Sequence, residues 1–132
     1  MEYIAIFAAA AGAYVFGAVW YMSLRNPWMK AAGITEEQVE GGAGKSPIPF
    51  IISAVMVIIV AATMQRIMAY LGIYGVADRG IIGFALGAFI VTPWIVTNYA
   101  YGMRPRNLTF IDGGYATIGC TIIGLVLGLL DT

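Results

Sequence analysis

Residues 46–65 read SPIPFIISAVMVIIVAATMQ, and this stretch of 20 residues carries no charged side chain. An α-helix rises about 1.5 Å per residue, so roughly 20 apolar residues cross the hydrocarbon core of a bilayer, which is about 30 Å thick. A segment in lipid must satisfy its backbone hydrogen bonds internally, so the stretch is predicted to be a transmembrane helix. We place this helix at about 48–70.

Three other uncharged runs have the same character. They contain 22, 24 and 18 residues and lie at 3–24, 80–103 and 113–130. They predict further spans near 3–23, 79–101 and 110–130, joined by short loops that make neighbouring spans antiparallel. The predicted fold is an all-α, integral membrane four-helix bundle that forms a single domain over residues 1–132.

The composition excludes several classes of protein. Hydrophobic residues make up 61% of the 132 residues and charged residues 11%, with a mean hydropathy of +0.85, whereas a soluble domain carries about 25% charged residues. Seven basic and seven acidic side chains cancel, so no polybasic surface is available for nucleic acid. Histidine is absent and Cys120 is the only cysteine, which excludes a disulfide within the chain and disfavours a zinc or haem site. No cofactor is expected.

Basic residues are distributed unevenly between the two sides of the predicted bundle. The side with the 24–46 and 102–109 loops holds five of them, and the opposite side holds Arg66 and Arg79. By the positive-inside rule the five mark the cytoplasmic side, so both termini are expected in the periplasm or the equivalent outer compartment. Glu2 stands where a signal peptide carries a basic residue, so the first span is predicted to remain uncleaved. The five residues are Arg25, Lys30, Lys45, Arg104 and Arg106.

One short helix is predicted in the first cytoplasmic loop. Thr35 is suited to cap a helix, and Gln38 three positions later reaches back to its amide, which is a capping box. Glu36 and Glu37 then lie in the first turn, where the helix dipole favours acidic side chains. The element is either a connector on the membrane surface or an acidic docking tab for a partner, in which Glu40 also takes part.

Small residues recur one turn apart in three of the four spans. In lipid such residues let helix backbones approach closely and therefore mark faces where helices pair. The pairing lies either inside the bundle or between chains, and we predict that the face of Gly83 and Gly87 contacts another chain. The predicted packing residues are Ala9, Ala13, Gly17, Gly83, Gly87, Gly124 and Gly128.

Polar residues gather at the cytoplasmic ends of the spans. The predicted polar cluster consists of Arg25, Asn98, Arg104, Asp112 and Tyr115. Charged groups this close to hydrocarbon are normally paired, so Arg104 is the first predicted partner of Asp112 and Arg25 is the second. The cluster is a clamp between helices, a proton- or ligand-binding site, or a contact with lipid headgroups.

Aromatic residues and a proline add local predictions. Trp20, Tyr21 and Trp28 are predicted to anchor the cytoplasmic interface, since amphipathic rings favour headgroup depth. Pro93 lies well inside the third span, where it removes a backbone donor and predicts a kink. The hydroxyl of Thr92 or of Thr97 is a candidate to compensate for the missing donor.

Five short motifs follow one another along the chain. They are GAVWY at 17–21, NPWM at 26–29, GITEE at 33–37, NY at 98–99 and DGGY at 112–115. In this order they resemble the DUF1761 family of small bacterial membrane proteins, and the resemblance covers essentially the whole chain. It implies a four-helix architecture in a bacterial membrane. Because that family has no assigned function, the resemblance implies no catalytic residues.

The function classes follow from what the spans contain. An enzyme is not expected, because the sequence shows neither a nucleophile with an adjacent base nor a phosphate-binding loop. The favoured expectation is a non-enzymatic accessory, structural or assembly subunit packed against a larger membrane complex, for example a bioenergetic or photosynthetic one. A small transporter or channel is the alternative, and it requires an oligomer because four short helices do not easily enclose a pore. The expected partners are membrane lipid and other transmembrane helices.

Overall fold

Helices make up most of the chain that the structure, a computed structural model, describes, namely residues 2–41 and 45–131. A π-helical segment, Gly87–Val91, joins the fifth α-helix to the sixth. No strand occurs in the described ranges, so the prediction of an all-α fold is confirmed. The α-helices are α1 (Glu2–Ser23), α2 (Arg25–Ala32), α3 (Glu36–Glu40), α4 (Ile48–Tyr70), α5 (Val76–Leu86), α6 (Thr92–Tyr101) and α7 (Arg106–Leu130).

Four helical stretches are long and apolar enough to cross a membrane, which makes the chain a multi-pass membrane protein. They are Glu2–Ser23, Ile48–Tyr70, Val76–Tyr101 and Arg106–Leu130. The second matches its predicted bounds. The third and fourth begin at 76 and 106 rather than at 79 and 110, because the charges of Arg79 and Arg106 lie within the helices and do not end them.

The backbones of α5 and α7 approach each other more closely than any side chain would allow. A Cβ built on Gly83 would lie 2.2 Å from a backbone carbonyl oxygen of α7, and one on Gly124 would lie 2.1 Å from a backbone carbonyl oxygen of α5. A Cβ built on Gly87, in the π-helical segment, would lie 2.7 Å from the backbone of α7, and one on Gly128 would lie 2.6 Å from the backbone of α5. The prediction that the Gly83 and Gly87 face contacts another chain is therefore wrong, because this face is closed by α7 of the same chain.

The small residues of α1 also face the interior. Ala9 and Ala13 are buried in the core. A Cβ on Gly17 would lie 2.8 Å from the ring of Tyr115, so the glycine leaves room for that ring. This face packs α1 against α7 and α4.

The apolar core lies toward the end of the bundle that carries residue 2, the 71–75 loop and residue 131. Its larger members are Ile6, Met64, Met68, Ile123 and Leu127. The buried residues of α4 all lie in its second half, from Ala61 to Met68, and α6 has none. The opposite end of the bundle is therefore open between the first half of α4 and α6.

Two short helices follow α1. The sequence did not predict α2, which packs on α7 and buries Met29 and Ala31. The capping box predicted for α3 is confirmed: the Gln38 amide donates to Thr35 Oγ1 at 3.2 Å, and the Thr35 amide donates to Gln38 Oε1 at 2.8 Å.

Pro93 is accommodated by a change of helix type. The segment Gly87–Val91 is π-helical, and the amide of Thr92 donates to the carbonyl of Gly87, five residues back. Thr92 Oγ1 donates to the same carbonyl at 2.7 Å. The Thr92 hydroxyl thus binds a carbonyl that already accepts from the Thr92 amide and lies two residues before Phe89, whose carbonyl loses its donor at Pro93. The predicted compensation by Thr92 is therefore not confirmed.

Candidate functional site

Asp112 joins three helices at the open end of the bundle. It lies in the second turn of α7 and is half-buried. Its Oδ1 accepts a hydrogen bond from the hydroxyl of Tyr21 on α1 at 2.5 Å, and its Oδ2 accepts one from the hydroxyl of Tyr99 on α6. We call Asp112, Tyr21 and Tyr99 the tyrosine–aspartate cluster.

Neither arginine predicted to pair with Asp112 does so. Arg25 forms a two-pronged salt bridge with Glu36, with both N–O distances at 2.9 Å. Arg104 donates from Nη2 to the backbone carbonyl of Ala32 at 3.1 Å. Both predictions are wrong because α2 and α3 fold back at this end and offer the arginines nearer acceptors, while Asp112 points inward.

The salt bridge between Arg25 and Glu36 is on the surface, outside the membrane spans. The hydrogen bonds from Arg25 hold the pKa of Glu36 below its usual range, and the same contact raises the pKa of Arg25. The pair ties the first turn of α3 to the first turn of α2 and leaves Glu37 and Glu40 exposed.

The other predicted members of the polar cluster have different roles. Tyr115 lines the same region, but its ring packs edge-on against Tyr21, with centroids 5.4 Å apart, and stacks on Phe16 at 6.1 Å. Asn98 is exposed, and among the described residues its side chain makes no hydrogen bond to Asp112. Asn98 therefore does not belong to the cluster.

The aromatic residues predicted as interfacial anchors pack within the protein. Trp20 donates from Nε1 to the carbonyl of Ile111 at 2.9 Å and so fixes α1 on α7. Trp28 on α2 stands edge-on to Tyr21 at 6.1 Å. The anchoring interpretation is therefore incomplete for Trp20 and Tyr21, whose polar atoms bind inside the bundle.

A cavity of about 330 Å³ extends from the tyrosine–aspartate cluster between α4 and α6. Asp112, Tyr21, Tyr99 and Tyr115 line its polar end. Apart from Ser53, the remaining lining residues are apolar. They come from α4, the π-helical segment, α6 and α7, together with Ala13 of α1, and they include Met56, Val57, Val60, Val91, Ile95 and Ile123. Binding sites for small molecules commonly start at about 300 Å³ and combine apolar walls with a few polar groups.

A second polar group, missed from the sequence, lies at the closed end of the bundle. Arg79 is fully buried and donates from Nη1 to Gln65 Oε1 at 2.7 Å and from Nε to the carbonyl of Ile73 at 2.8 Å. Asp131 forms a salt bridge with Nη1 at 3.3 Å and accepts a hydrogen bond from Gln65. The guanidinium lies 4.6 Å from the ring centroid of Tyr74. We call Arg79, Gln65 and Asp131 the arginine cluster; it links α4, α5 and the end of α7.

The described residues contain no group of three or more His, Cys, Asp or Glu side chains arranged to hold a metal ion. Cys120 is buried in the apolar core. Asp112 is therefore a single carboxylate surrounded by tyrosine rings, and it provides fewer oxygen ligands than a metal ion usually requires.

Comparison with known proteins gives one match. The sequence model of a family described as protein of unknown function (DUF1761) matches residues 4–128. No curated protein and no solved structure matches the chain.

Proposed function

The chain belongs to the DUF1761 family, whose description assigns no activity, and we therefore propose a function from the surfaces of the chain itself. We propose that it is a non-enzymatic accessory subunit that packs against transmembrane helices of a larger membrane complex. One observation carries this proposal, and it concerns the outer face of α4. In its first half this helix has no buried residue. A further transmembrane helix would bury that face.

The outer face of α4 carries a regular seam of stiff side chains. Ile48, Ile52, Val55 and Ile59 are spaced by four, three and four residues and are 46–59% exposed. This is the spacing at which one helix packs knobs into the holes of another. Their branched side chains populate few rotamers in a helix, so packing them against a partner costs little conformational entropy.

The seam points away from the rest of the chain. With 3.6 residues per turn, it lies roughly 180° around α4 from the buried Ala61, Met64 and Met68. A partner helix would therefore bind without displacing α1, the main neighbour of α4. Van der Waals packing of this kind is the main drive for helix association in lipid.

Photo-crosslinking in the native membrane tests the proposal. A photoreactive side chain is placed in turn at every position from 48 to 60 of the full-length protein. Crosslinks to one partner should follow Ile48, Ile52, Val55 and Ile59, and should be absent at Val19, an equally exposed control on α1 (58%). Crosslinks without this period, or equally strong ones at the control, would contradict the proposal.

The alternative function is a small oligomeric transporter or channel. The cavity beside Asp112 favours it, because a polar group open to an apolar cleft is a feature of membrane ligand pathways. The same crosslinking experiment separates the two functions. A product with twice the mass of this 14.1 kDa chain would mean that the seam joins copies of the chain, which favours the transporter.

We also propose that the protein lies in a bacterial inner membrane with both termini in the periplasm. Five basic residues of the loop side support this orientation. On the opposite side Arg79 is buried in the bundle, which leaves Arg66 as the only exposed arginine or lysine among the described residues there. Cysteines introduced at Met103 and at Tyr70, both about 90% exposed, test it: a membrane-impermeant thiol reagent should label position 70 in intact spheroplasts and not position 103.

A further inference from the structure

The cavity next to Asp112 is an open cleft of about 330 Å³, which is the size of a binding site for a small molecule or an alkyl chain. Beyond its polar end and Ser53, the side chains that line it are apolar, so the body of a matching occupant is apolar as well.

The carboxylate at the polar end of the cavity has no basic partner in the part of the chain that the structure describes. Within residues 2–41 and 45–131, the salt bridges are Arg25 with Glu36, Arg66 with Glu2 and Arg79 with Asp131. The Asp112 oxygens accept one hydrogen bond each, from tyrosine hydroxyls, and an ionised carboxylate has about two further acceptor positions. A carboxylate at the edge of hydrocarbon is normally paired, so this one favours a cationic partner.

The aromatic rings around Asp112 favour the same kind of ligand. Tyr21, Tyr99 and Tyr115 line the cavity together with the carboxylate. Faces of aromatic rings attract cations, and the combination of rings with a carboxylate suits an organic ammonium group. An anionic ligand would be repelled. An inorganic divalent cation would need several more oxygen ligands than this end of the cavity provides.

We propose that this cavity binds a lipophilic organic cation, whose ammonium group pairs with Asp112 between the tyrosine rings and whose apolar body lies between α4 and α6. This site goes beyond the accessory function proposed above. On α4 the cavity uses Met56, Val57 and Val60, which lie roughly a third of a turn around the helix from the outer seam. A partner on the seam and a ligand in the cavity do not compete.

The site is tested with octyltrimethylammonium as the probe and the full-length protein in dodecyl maltoside micelles, by equilibrium dialysis. Asp112→Asn should weaken binding about tenfold or more, because it removes the charge and leaves the shape. Glu37→Gln removes an exposed carboxylate away from the cavity and should leave binding unchanged. An uncharged octyl ether of similar size should bind at least about tenfold more weakly than the probe.

A second variant keeps the test decisive if Asp112→Asn fails to fold. Val60→Trp fills the cavity from the α4 side and leaves Asp112 in place, so it should abolish binding without lowering thermal stability. Unchanged binding in either folded variant, or equal binding of the uncharged ether, would overturn the proposal. Added phosphatidylethanolamine that competes with the probe would identify the ammonium group as that of a lipid; no competition would identify a free amphiphile.

Discussion

Substitution of a single glycine by alanine tests how α5 is held on α7. In Gly83→Ala the new Cβ would lie 2.2 Å from the carbonyl oxygen of Cys120, whereas ordinary contact begins at 3.4 Å. The atom in the way belongs to a backbone and not to a flexible side chain. The helices must therefore move apart locally by roughly 1 Å, and the neighbouring contacts along both helices lose part of their dispersion energy.

The expected cost exceeds the gain in helix propensity. Overpacking of this kind costs about 1–3 kcal/mol, whereas replacing glycine by alanine in a helix gains up to about 1 kcal/mol. We expect a net loss of about 1 kcal/mol for Gly83→Ala, which lowers the melting temperature by roughly 3–5 °C for a chain of this size. Gly124→Ala should behave alike, since its Cβ would lie 2.1 Å from the carbonyl of Arg79.

The matched control is Gly119→Ala on α7, the helix that also carries Gly124. Its Cβ would meet the ring of Tyr115 at 3.6 Å, which is ordinary contact, so the substitution should be neutral or stabilising. The assay is thermal unfolding of the purified protein in detergent, read by circular dichroism, at a concentration where it is monomeric. If Gly83→Ala and Gly119→Ala melt together, close backbone approach does not hold α5 on α7.

Three further predictions concern the polar contacts. Asp131→Asn leaves the buried Arg79 without its counter-ion and should lower the free energy of unfolding by about 3 kcal/mol, measured by denaturant titration in detergent. Thr92→Val removes the hydroxyl that serves the π-helical segment and should cost about 0.5–1 kcal/mol in the same titration. The third prediction concerns α3. Arg25 lowers the pKa of Glu36, so the salt bridge between them contributes its full stability above the usual glutamate pKa. That contribution is lost as the pH falls through the lowered pKa of Glu36. Hydrogen exchange of α3 should therefore be protected at neutral pH, and Glu36→Gln should remove that protection; equal exchange in both would contradict it.

The transmembrane spans were predictable because the hydropathy that places a segment in lipid is summed over about 20 residues, so no single position decides it. The bounds 48–70 hold to the residue: Pro47 precedes the first residue of α4, and the helix runs past Arg66 to a turn that begins at Leu71. The start of the third span was misplaced because a charge was taken as a boundary. Arg79 continues the helix because it finds Gln65, Asp131 and a backbone carbonyl inside the bundle.

The sequence contained a signal for the arginine cluster. Gln65, Arg79 and Asp131 each lie near the same end of a different span, and polar side chains at one depth of a bundle tend to bind one another. The partners of Asp112 were harder to predict. Tyr21 is 91 residues away in the sequence, and which tyrosine faces Asp112 depends on how each helix is rotated about its axis, which hydropathy does not specify in a span that is apolar all round.

The two polar clusters differ in a way that bears on function. In the arginine cluster a buried cation pairs with the carboxylate of Asp131, and its Nε and Nη1 also donate to an amide oxygen and to backbone carbonyls of the same chain. In the tyrosine–aspartate cluster the carboxylate receives, from the described residues, hydrogen bonds of hydroxyl groups only, which orient it without neutralising it. The first cluster closes the end where α4 is buried, and the second lies at the end where α4 stands away from α6. Arg79 has its counter-ion in Asp131, although its Nη2 has no hydrogen-bond partner among the described residues. Asp112 faces an open cavity instead, where a cation from outside the chain would supply its counter-ion.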